Sequence, residues 1–313
     1  MIKVFDSAQD ALAFLVPQLA HIEPRVYQVK YPGIRYPGLV PVDTSAAAWA
    51  QSVMYFSGDI VGAAQWANAI AGDIPLADIK RSQFATPVHM ATIGYEYSDE
   101  ELAQAKMLGI PLTPDKAVAA RKIAEKFIDT VAMTGDAVKG FTGLFNNPNV
   151  TVVAAPSVGG FTHWADKTPA QVLADVNGIL TGVYTGSDTV ELADTLLLPV
   201  AVYAYLAVTP FNAYSAMTLL EYIRKSNIYT VETDRELTIR GVRGLDTAGA
   251  GGVGRAIAYT RDEDVVRMHM PMPFQFGNAR EKAAWVFEVP GRFRIGGVDV
   301  RRPGAFRYMD AVS

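Results

Sequence analysis

Apolar residues repeat every three or four positions in one long segment, and this period predicts an amphipathic helix over residues 113–133. Thr113 can cap this helix, Pro114 suits its first turn and Gly135 can end it. At about 1.5 Å per residue the helix spans roughly 30 Å, enough to cross a domain. A shorter helix is predicted over residues 99–108. The apolar stripe of the long helix comprises Ala120, Ile123, Ala124, Phe127, Ile128 and Val131.

The first 44 residues lack the pattern of a self-contained fold. Residues 7–21 predict a short helix that Pro24 would end, and further prolines interrupt the chain up to residue 41. We expect an extended arm that other chains must cover. Deletion of residues 1–44 is expected to stop assembly and leave a folded body. The apolar residues expected to have no core of their own are Tyr27, Tyr31, Ile34, Tyr36, Leu39 and Val42.

Two strand-like runs, at residues 49–60 and 84–97, predict a long β-hairpin. Residues 46–79 contain no Lys or Arg, and the loop between the runs contains Gly72, Asp73 and Pro75. An isolated two-stranded hairpin is only marginally stable in water. We therefore expect the hairpin to lie on a neighbouring subunit or on the body of the protein.

The second half of the chain mixes helix and strand signals, which is typical of an α+β fold. Helices are predicted over residues 168–180 and 210–223, and a buried strand over residues 196–208. The tail is expected to close a sheet against the long helix. Its strand signals lie at residues 256–259, 265–270, 285–289 and 298–300.

Composition favours large protein interfaces over catalysis or nucleic-acid binding. Charged residues make up 19% of the chain, which is low for a soluble domain, and the net charge of −4 predicts only weak contact with DNA. The absence of cysteine excludes disulfides, thiol nucleophiles and Cys-ligated metals. No apolar run reaches the roughly 20 residues that span a bilayer, so we expect no membrane partner and assembly in cytoplasm.

Candidate chemistry is sparse. Residues 249–254 have the spacing GxGxxG, but a strand-like run follows them where a nucleotide-binding loop needs a helix, so a flexible surface or subunit-contact loop is the better interpretation. The acidic clusters at residues 99–101 and 262–264 lack the pattern of a calcium loop. We therefore predict no enzyme activity, no catalytic, cofactor-binding or metal-binding residues, and no cofactor. The widely spaced histidines are His21, His89, His163 and His269.

Charge is unevenly distributed along the chain. Acidic residues outnumber basic ones between residues 59 and 115, and the balance reverses between residues 280 and 307. Opposite patches on one chain suit head-to-tail contacts that close into rings. Ordinary surface variation explains the same pattern equally well.

A series of short motifs covers nearly the whole chain in a distinctive order. They are Ile22-Glu23-Pro24, the two Tyr-Pro-Gly tripeptides, Gly94-Tyr95-Glu96-Tyr97-Ser98 with Glu101-Leu102, Lys116 with Ala119-Ala120-Arg121, Gly135-Asp136, Gly143-Leu144-Phe145-Asn146, Pro148-Asn149-Val150, Gly296-Gly297-Val298 and Arg302-Pro303. Their order resembles that of tailed-bacteriophage major capsid proteins of the Hong Kong 97 fold, in the branch shared with encapsulin-like shells.

The resemblance implies an α+β subunit with the following parts: an N-terminal arm (1–45), an extended hairpin loop (46–97), a peripheral domain with a long spine helix (98–150), an axial domain (151–254) and a C-terminal part of the peripheral domain (255–313). It implies self-assembly into pentamers and hexamers of an icosahedral virion shell around double-stranded DNA. Scaffolding, portal and cement proteins are implied as further partners. A separate scaffolding protein is expected because the chain begins directly with the arm.

Some members of this fold cross-link their subunits through Lys–Asn isopeptide bonds. The predicted hairpin tip lacks lysine, since Lys80 is the first lysine after Lys30, so we predict that such cross-links are absent. Two alternatives stay open at this point. An encapsulin-type compartment would share the fold and enclose a protein cargo, and a soluble nucleotide-binding enzyme would use the glycine run.

Overall fold

The computed structural model describes residues 33–62, 76–108, 112–212, 214 and 216–313. The predicted helix at residues 7–21 and the predicted hairpin loop with Gly72, Asp73 and Pro75 lie outside the described residues. The chain forms two compact units. The described part of the smaller unit is mainly Thr92–Ile123 and Phe276–Gly291, and the larger unit comprises Ile34–Ala91, Ala124–Gln275 and Arg292–Ser313.

The helices confirm the strongest periodic signals of the sequence. The predicted helices over residues 99–108 and 113–133 correspond to α2 and α3 below. Gly135 ends the long helix with a φ of 72°, where a Cβ would clash with the Phe141 carbonyl oxygen. In order, the α-helices of the described residues are α1 (Tyr36–Leu39), α2 (Asp99–Leu108), α3 (Leu112–Thr134), α4 (Pro169–Gly186), α5 (Val200–Val208), α6 (Leu219–Ser226) and α7 (Ile228–Thr233).

Strands account for most of the remaining regular structure. Their bounds are β1 (Val42–Asp43), β2 (Ser52–Val61), β3 (Asp78–Pro87), β4 (His89–Thr92), β5 (Tyr95–Ser98), β6 (Thr151–Ala154), β7 (Thr195–Pro199), β8 (Thr238–Val242), β9 (Arg255–Tyr259), β10 (Val266–His269), β11 (Met272–Phe276), β12 (Arg280–Ala283), β13 (Val286–Val289), β14 (Gly291–Ile295), β15 (Val298–Val300) and β16 (Phe306–Asp310).

The core of the larger unit is a five-stranded sheet in the order β6-β16-β9-β7-β8. β7 runs parallel to β8 and antiparallel to β9, and β16 runs antiparallel to β9 and parallel to β6. Strands from both sides of residue 254 share this sheet, so the expected domain division between residues 254 and 255 cuts through it. Side chains buried in this core include Trp164, Val176, Ile179, Leu196, Leu198, Ile223, Ala258 and Met309.

The larger unit contains further small sheets around this core. β1, β10 and β15 form one, and β11, β14 and β4 form another. Phe127 of α3 packs edge-on against Phe293 of β14, with ring centroids 5.9 Å apart. The prediction that the tail closes a sheet against the long helix therefore holds for β14. β16 lies against a different helix, α4: Arg307 donates a 2.9 Å hydrogen bond to the Gly182 carbonyl.

The smaller unit is built on the antiparallel sheet β12-β13-β5. The rings of Tyr97 and Phe287 stack across it with centroids 5.7 Å apart. Lys116 of α3 lies 3.0 Å from the Glu101 carboxylate of α2, which ties the two helices together.

Two predictions in the second half of the chain are wrong, although the helix predicted over residues 168–180 is confirmed and extends to Gly186. Residues 196–208 were expected to form one buried strand, but only β7 is a strand and α5 begins directly after Pro199. The uniformly apolar run has no period that separates strand from helix. The helix expected over residues 210–223 begins only at Leu219, where Thr218 accepts a hydrogen bond from the Glu221 amide as an N-cap.

Candidate assembly surfaces

The hairpin forms as predicted, with a shifted second strand. β2 and β3 pair antiparallel in ten consecutive registers, from Ser52 opposite Pro87 to Val61 opposite Asp78. The second strand therefore begins at Asp78, whereas residue 84 was expected, and residues 89–92 and 95–98 pair in two other sheets. Within the described residues β2 and β3 pair with no third strand.

One face of the hairpin exposes four large apolar side chains beside Gln83 and Arg81 of β3. Side chains alternate between the two faces of a strand, so residues 54, 56 and 60 of β2 share a face with residue 79 of β3. Phe56 is 69% exposed and Ile60 is 81% exposed. An exposed stripe of this kind is typical of a surface that another protein covers. We call Met54, Phe56, Ile60 and Ile79 the apolar face.

The opposite face contacts the chain's own body near the base of the hairpin. Tyr55 stacks on Phe84 with ring centroids 5.2 Å apart, and the Arg301 guanidinium lies 4.4 Å from the centre of the Tyr55 ring. Burial and the nearby Asp299 carboxylate raise the pKa of Tyr55. Among the described residues, these ring contacts attach the hairpin to the rest of the chain near its base. The outer part of the hairpin is therefore accessible to other partners.

The second Tyr-Pro-Gly motif belongs to the folded body, and the expected extended arm is wrong for this segment. Tyr36 begins the single turn α1, because the fixed φ of a proline suits the first helical turn, and Tyr36 and Leu39 are buried. Val42 pairs with Met268 in a parallel bridge of β1 and β10. The Leu39 carbonyl accepts a 2.7 Å hydrogen bond from the Tyr259 hydroxyl.

A buried carboxylate holds this segment against the long helix. Asp129 accepts hydrogen bonds from the backbone amides of Arg35 and Tyr36, at 2.7 and 3.0 Å. Its other oxygen accepts from Nε and Nη2 of Arg35 at 2.9 and 2.7 Å. The Tyr36 hydroxyl donates to Glu125 at 2.9 Å. Sequence reasoning missed this cluster, because the arginine and the two acids lie about ninety positions apart.

The basic residues of the tail are engaged within the chain. Arg280 pairs with Glu288, Lys282 with Glu96, and Arg302 with Glu191. Arg292 lies 5.2 Å from the centre of the exposed Trp49 ring. These contacts neutralise much of the positive region, so the charge asymmetry gives weak support to head-to-tail attraction and fits the alternative of ordinary surface variation.

The glycine run lies in a turn that the chain's own C-terminal strand occupies. Strand β9 begins at Arg255, directly after the run, as predicted from the sequence. The Ala250 amide donates to Asp310 Oδ2 at 3.0 Å, and Arg255 Nε lies 2.6 Å from Asp310 Oδ1. Burial opposes ionisation of Asp310, but the contacts with Arg255 and Ala250 hold its pKa below the usual value. A carboxylate in this position leaves no cradle for a phosphate.

The histidines do not form a common site in the described part of the chain. His89 packs edge-on against Phe141, His163 is exposed, and His269 is buried between two carboxylates. His21 lies outside the described residues. Among the residues that the structure describes, no cluster of His, Asp and Glu is arranged to hold a metal ion. No helix of the described chain has the length and apolarity needed to cross a membrane.

The larger unit exposes further apolar side chains around the loop between α5 and α6 and on α7. Val208 at the end of α5 is 81% exposed, and Tyr214 in the loop before α6 is fully exposed. That loop is closed by a bridge between Pro210 and Thr218. Val200 and Val231 are exposed on α5 and α7. These residues provide a second candidate contact surface.

Solved structures share this fold. The capsid of Myoviridae phage XM1 is 18% identical with a TM-score of 0.79, and the match covers 94% of this chain and 97% of that chain. The structure from Microbacterium phage Oxtober96 is 13% identical with a TM-score of 0.64, covering 98% and 99% of the two chains. That from Mycobacterium phage Bobi is 11% identical with a TM-score of 0.60, covering 94% and 96%. The chain therefore has the Hong Kong 97-type capsid fold.

Sequence comparison gives the family. No curated protein is significantly similar in sequence. The family model for the major capsid protein matches residues 62–312, which is most of the chain. This match favours a viral capsid over an encapsulin-type compartment, and the occupied glycine turn removes the basis for a nucleotide-binding enzyme. The chain belongs to the major capsid protein family.

Proposed function

We propose that this major capsid protein assembles into pentamers and hexamers of an icosahedral shell that encloses double-stranded DNA. The hairpin is the main support for the proposal. Its apolar face is exposed over much of its length, and its two strands pair with no third strand in the described residues. Two strands with an uncovered apolar face are marginal in water. A neighbouring subunit in a closed shell would cover that face.

The parts of the chain take separate roles in this proposal. We assign residues 1–32 to the arm and residues 46–97 to the overlapping hairpin. The peripheral domain, with α3 as its spine, comprises residues 98–150 and the parts of residues 255–313 outside β9 and β16. Residues 151–254 form the axial domain. Because β9 and β16 share a sheet with β7 and β8, we extend the axial domain to include these two strands.

Contacts around the shell's rotation axes are assigned to the axial domain. Val208 and Tyr214 are exposed apolar side chains beside the loop between α5 and α6. An apolar loop of this kind suits contact with copies of itself, since the same apolar side chains of neighbouring copies bury one another.

Further partners rest on the family resemblance alone. They are scaffolding, portal and cement proteins, and packaged DNA that is contacted without sequence specificity. Assembly in the host cytoplasm rests on the same resemblance. The net charge of −4 supports weak DNA contact, because tight phosphate binding needs clustered basic residues.

A pair of substitutions tests the role of the hairpin. Phe56→Asp places a charge on the apolar face, and Ser57→Asp places the same charge on the adjacent residue of the opposite face. Negative-stain electron microscopy of the purified proteins should show shells for the wild type and Ser57→Asp. Phe56→Asp should give rings or single subunits with an unchanged circular dichroism spectrum. Normal shells from Phe56→Asp, or loss of shells from both variants, would contradict the proposed contact face.

A further inference from the structure

The small sheet β1-β10-β15 has one apolar face and one charged face. Asp43 pairs with His269 across β1 and β10, and Arg267 pairs with Asp299 across β10 and β15. Directly paired residues lie on the same side of a sheet, and alternate residues of a strand share a face. These four side chains and Arg301 therefore lie on one face, which we call the charged face. The opposite face carries Val42, Val266, Met268, Val298 and Val300.

His269 occupies the centre of the charged face and is almost completely buried, with 1% of its side chain exposed. Its Nδ1 lies 3.4 Å from Asp43 Oδ2, and its Nε2 lies 3.5 Å from Asp299 Oδ2. Neither nitrogen has a hydrogen-bond partner of good geometry among the described residues. A neutral imidazole would present one lone pair to a carboxylate, whereas an imidazolium presents an N–H to each.

Both carboxylates beside His269 also contact an arginine. Arg267 Nη1 lies 3.2 Å from Asp43 and its Nη2 lies 3.5 Å from Asp264, on the loop before β10. Arg301 Nε lies 3.3 Å from Asp299, just after β15. The Asp264 carboxylate is largely exposed, so the charged face itself holds two carboxylates, two guanidinium groups and the imidazole that lies between the carboxylates. Ser45 donates two hydrogen bonds to Asp43, and the titratable side chain of Tyr55 in β2 also lies at this face, against Arg301.

The charged face joins the residues that precede the hairpin to its base. On one side, the Asp43 carbonyl accepts a 2.8 Å hydrogen bond from the Met270 amide. On the other side, Arg301 lies over the ring of Tyr55, which stacks on Phe84 of the facing strand. A change of charge at His269 therefore acts on both attachments through Asp43 and Asp299.

We propose that the charged face formed by Asp43, Arg267, His269, Asp299 and Arg301 is a proton-sensitive clamp on the base of the hairpin. The clamp is tight when His269 is protonated, and it loosens when the imidazole is neutral and repels one of the two carboxylates. Histidine is the side chain that ordinarily changes charge between pH 5 and 8. The clamp rests on the proposed function only in assuming that the hairpin is the element that contacts neighbours.

Amide hydrogen exchange of unassembled full-length subunits tests the clamp. After correction for intrinsic rates, exchange of peptides covering residues 42–56 and 266–269 should be about tenfold faster at pH 8 than at pH 5.5, since one proton bound differently over one pH unit changes an opening equilibrium about tenfold. His269→Asn should abolish this dependence. Peptides of the five-stranded sheet serve as the internal control. Equal pH responses in the wild type and His269→Asn, or no response in the wild type, would overturn the clamp.

A second measurement covers the case in which His269→Asn does not fold. Exchange at the imidazole C2 position reports the charge of each histidine in the wild-type chain, with His89 and His163 as references. The clamp requires that His269 be protonated at pH 5.5 and lose its proton by pH 8. A neutral His269 throughout pH 5.5–8 rules out the clamp. Shell formation is scored separately by electron microscopy, so loss of shells at every pH would contradict the proposed function and leave the result for the clamp intact.

Discussion

At the residue scale, Asp129 is the group whose loss should matter most to the folded subunit. It is buried, and it satisfies two backbone amides and the Arg35 guanidinium at once. Asp129→Asn should lower the free energy of unfolding by about 3 kcal/mol, because it leaves the part-buried Arg35 without its counter-ion. Urea unfolding of unassembled subunits measures this change.

Glu125→Gln is the matched control for that substitution. Glu125 accepts one hydrogen bond, from the Tyr36 hydroxyl, and a glutamine oxygen can accept the same bond. Its effect should stay below about 1 kcal/mol. Equal losses from the two variants would show that the charge of Asp129 has no special role.

Asp43 should make the stability of the larger unit depend on acid pH. Burial alone would raise the pKa of this carboxyl, but hydrogen bonds from Ser45 and Arg267 and the nearby His269 lower it from 3.8 to about 2. A depressed folded-state pKa contributes stability that is fully present above about pH 4 and is lost as the pH falls towards 2. The contribution is about 2 kcal/mol.

Asp43→Asn provides the measurement. The difference in unfolding free energy between the wild type and this variant should shrink between pH 4 and pH 2. The exposed Asp264→Asn substitution should show a smaller change over the same range. A difference between wild type and Asp43→Asn that is constant from pH 6 to pH 2 would contradict the role assigned to this carboxylate.

At the element scale, the segment before the hairpin divides into two parts with different roles. Residues 36–40 are largely buried and β1 pairs with β10, so deletion of residues 1–44 should impair folding as well as assembly. This revises the expectation that such a deletion leaves a folded body. Deletion of residues 1–32 should keep the circular dichroism spectrum and the thermal transition, and should reduce shell yield in electron microscopy. Normal shells from the shorter deletion would exclude an assembly role for residues 1–32.

Some helices and strands could be predicted from the sequence, and others could not. The period of residues 113–133, together with Pro114 and Gly135, specified α3 almost to the residue. The boundary between β7 and α5 was not predictable, because residues 196–208 are apolar almost throughout and burial on both sides of β7 erases the alternation that marks a strand. Proline was taken as a sign of extended chain in residues 36–38, although it also suits a helix's first turn.

The assembly surface was predictable only in part for similar reasons. The run over residues 46–79, which contains no Lys or Arg, indicated a hairpin that needs a partner, and the structure confirms its pairing. The contacts that hold its base, between Arg301 and Tyr55, join positions far apart in the chain. No local pattern encodes such pairs. The same holds for Arg35 and Asp129, whose role depends on the fold that brings them together.

At the scale of the whole molecule, the shell should be held without covalent links between subunits. Lys80 pairs in register with Asp59, and it is the first lysine after Lys30. Lys80 lies near the outer end of β3, but residues 62–77 between the two strands contain no lysine that could form an isopeptide bond. Purified shells boiled in detergent should therefore give a single band near 33.8 kDa on a denaturing gel. A ladder of multiples of this mass would contradict the prediction.

We infer above all that this chain is a shell-forming subunit whose hairpin is covered by a neighbour. Electron microscopy with image reconstruction of the purified, unmodified protein tests it most directly. We expect closed particles built of five- and six-membered rings, with Phe56 and Ile60 of the hairpin against an adjacent subunit. Folded monomers that form no rings at any concentration, or rings in which the apolar face stays in solvent, would contradict it.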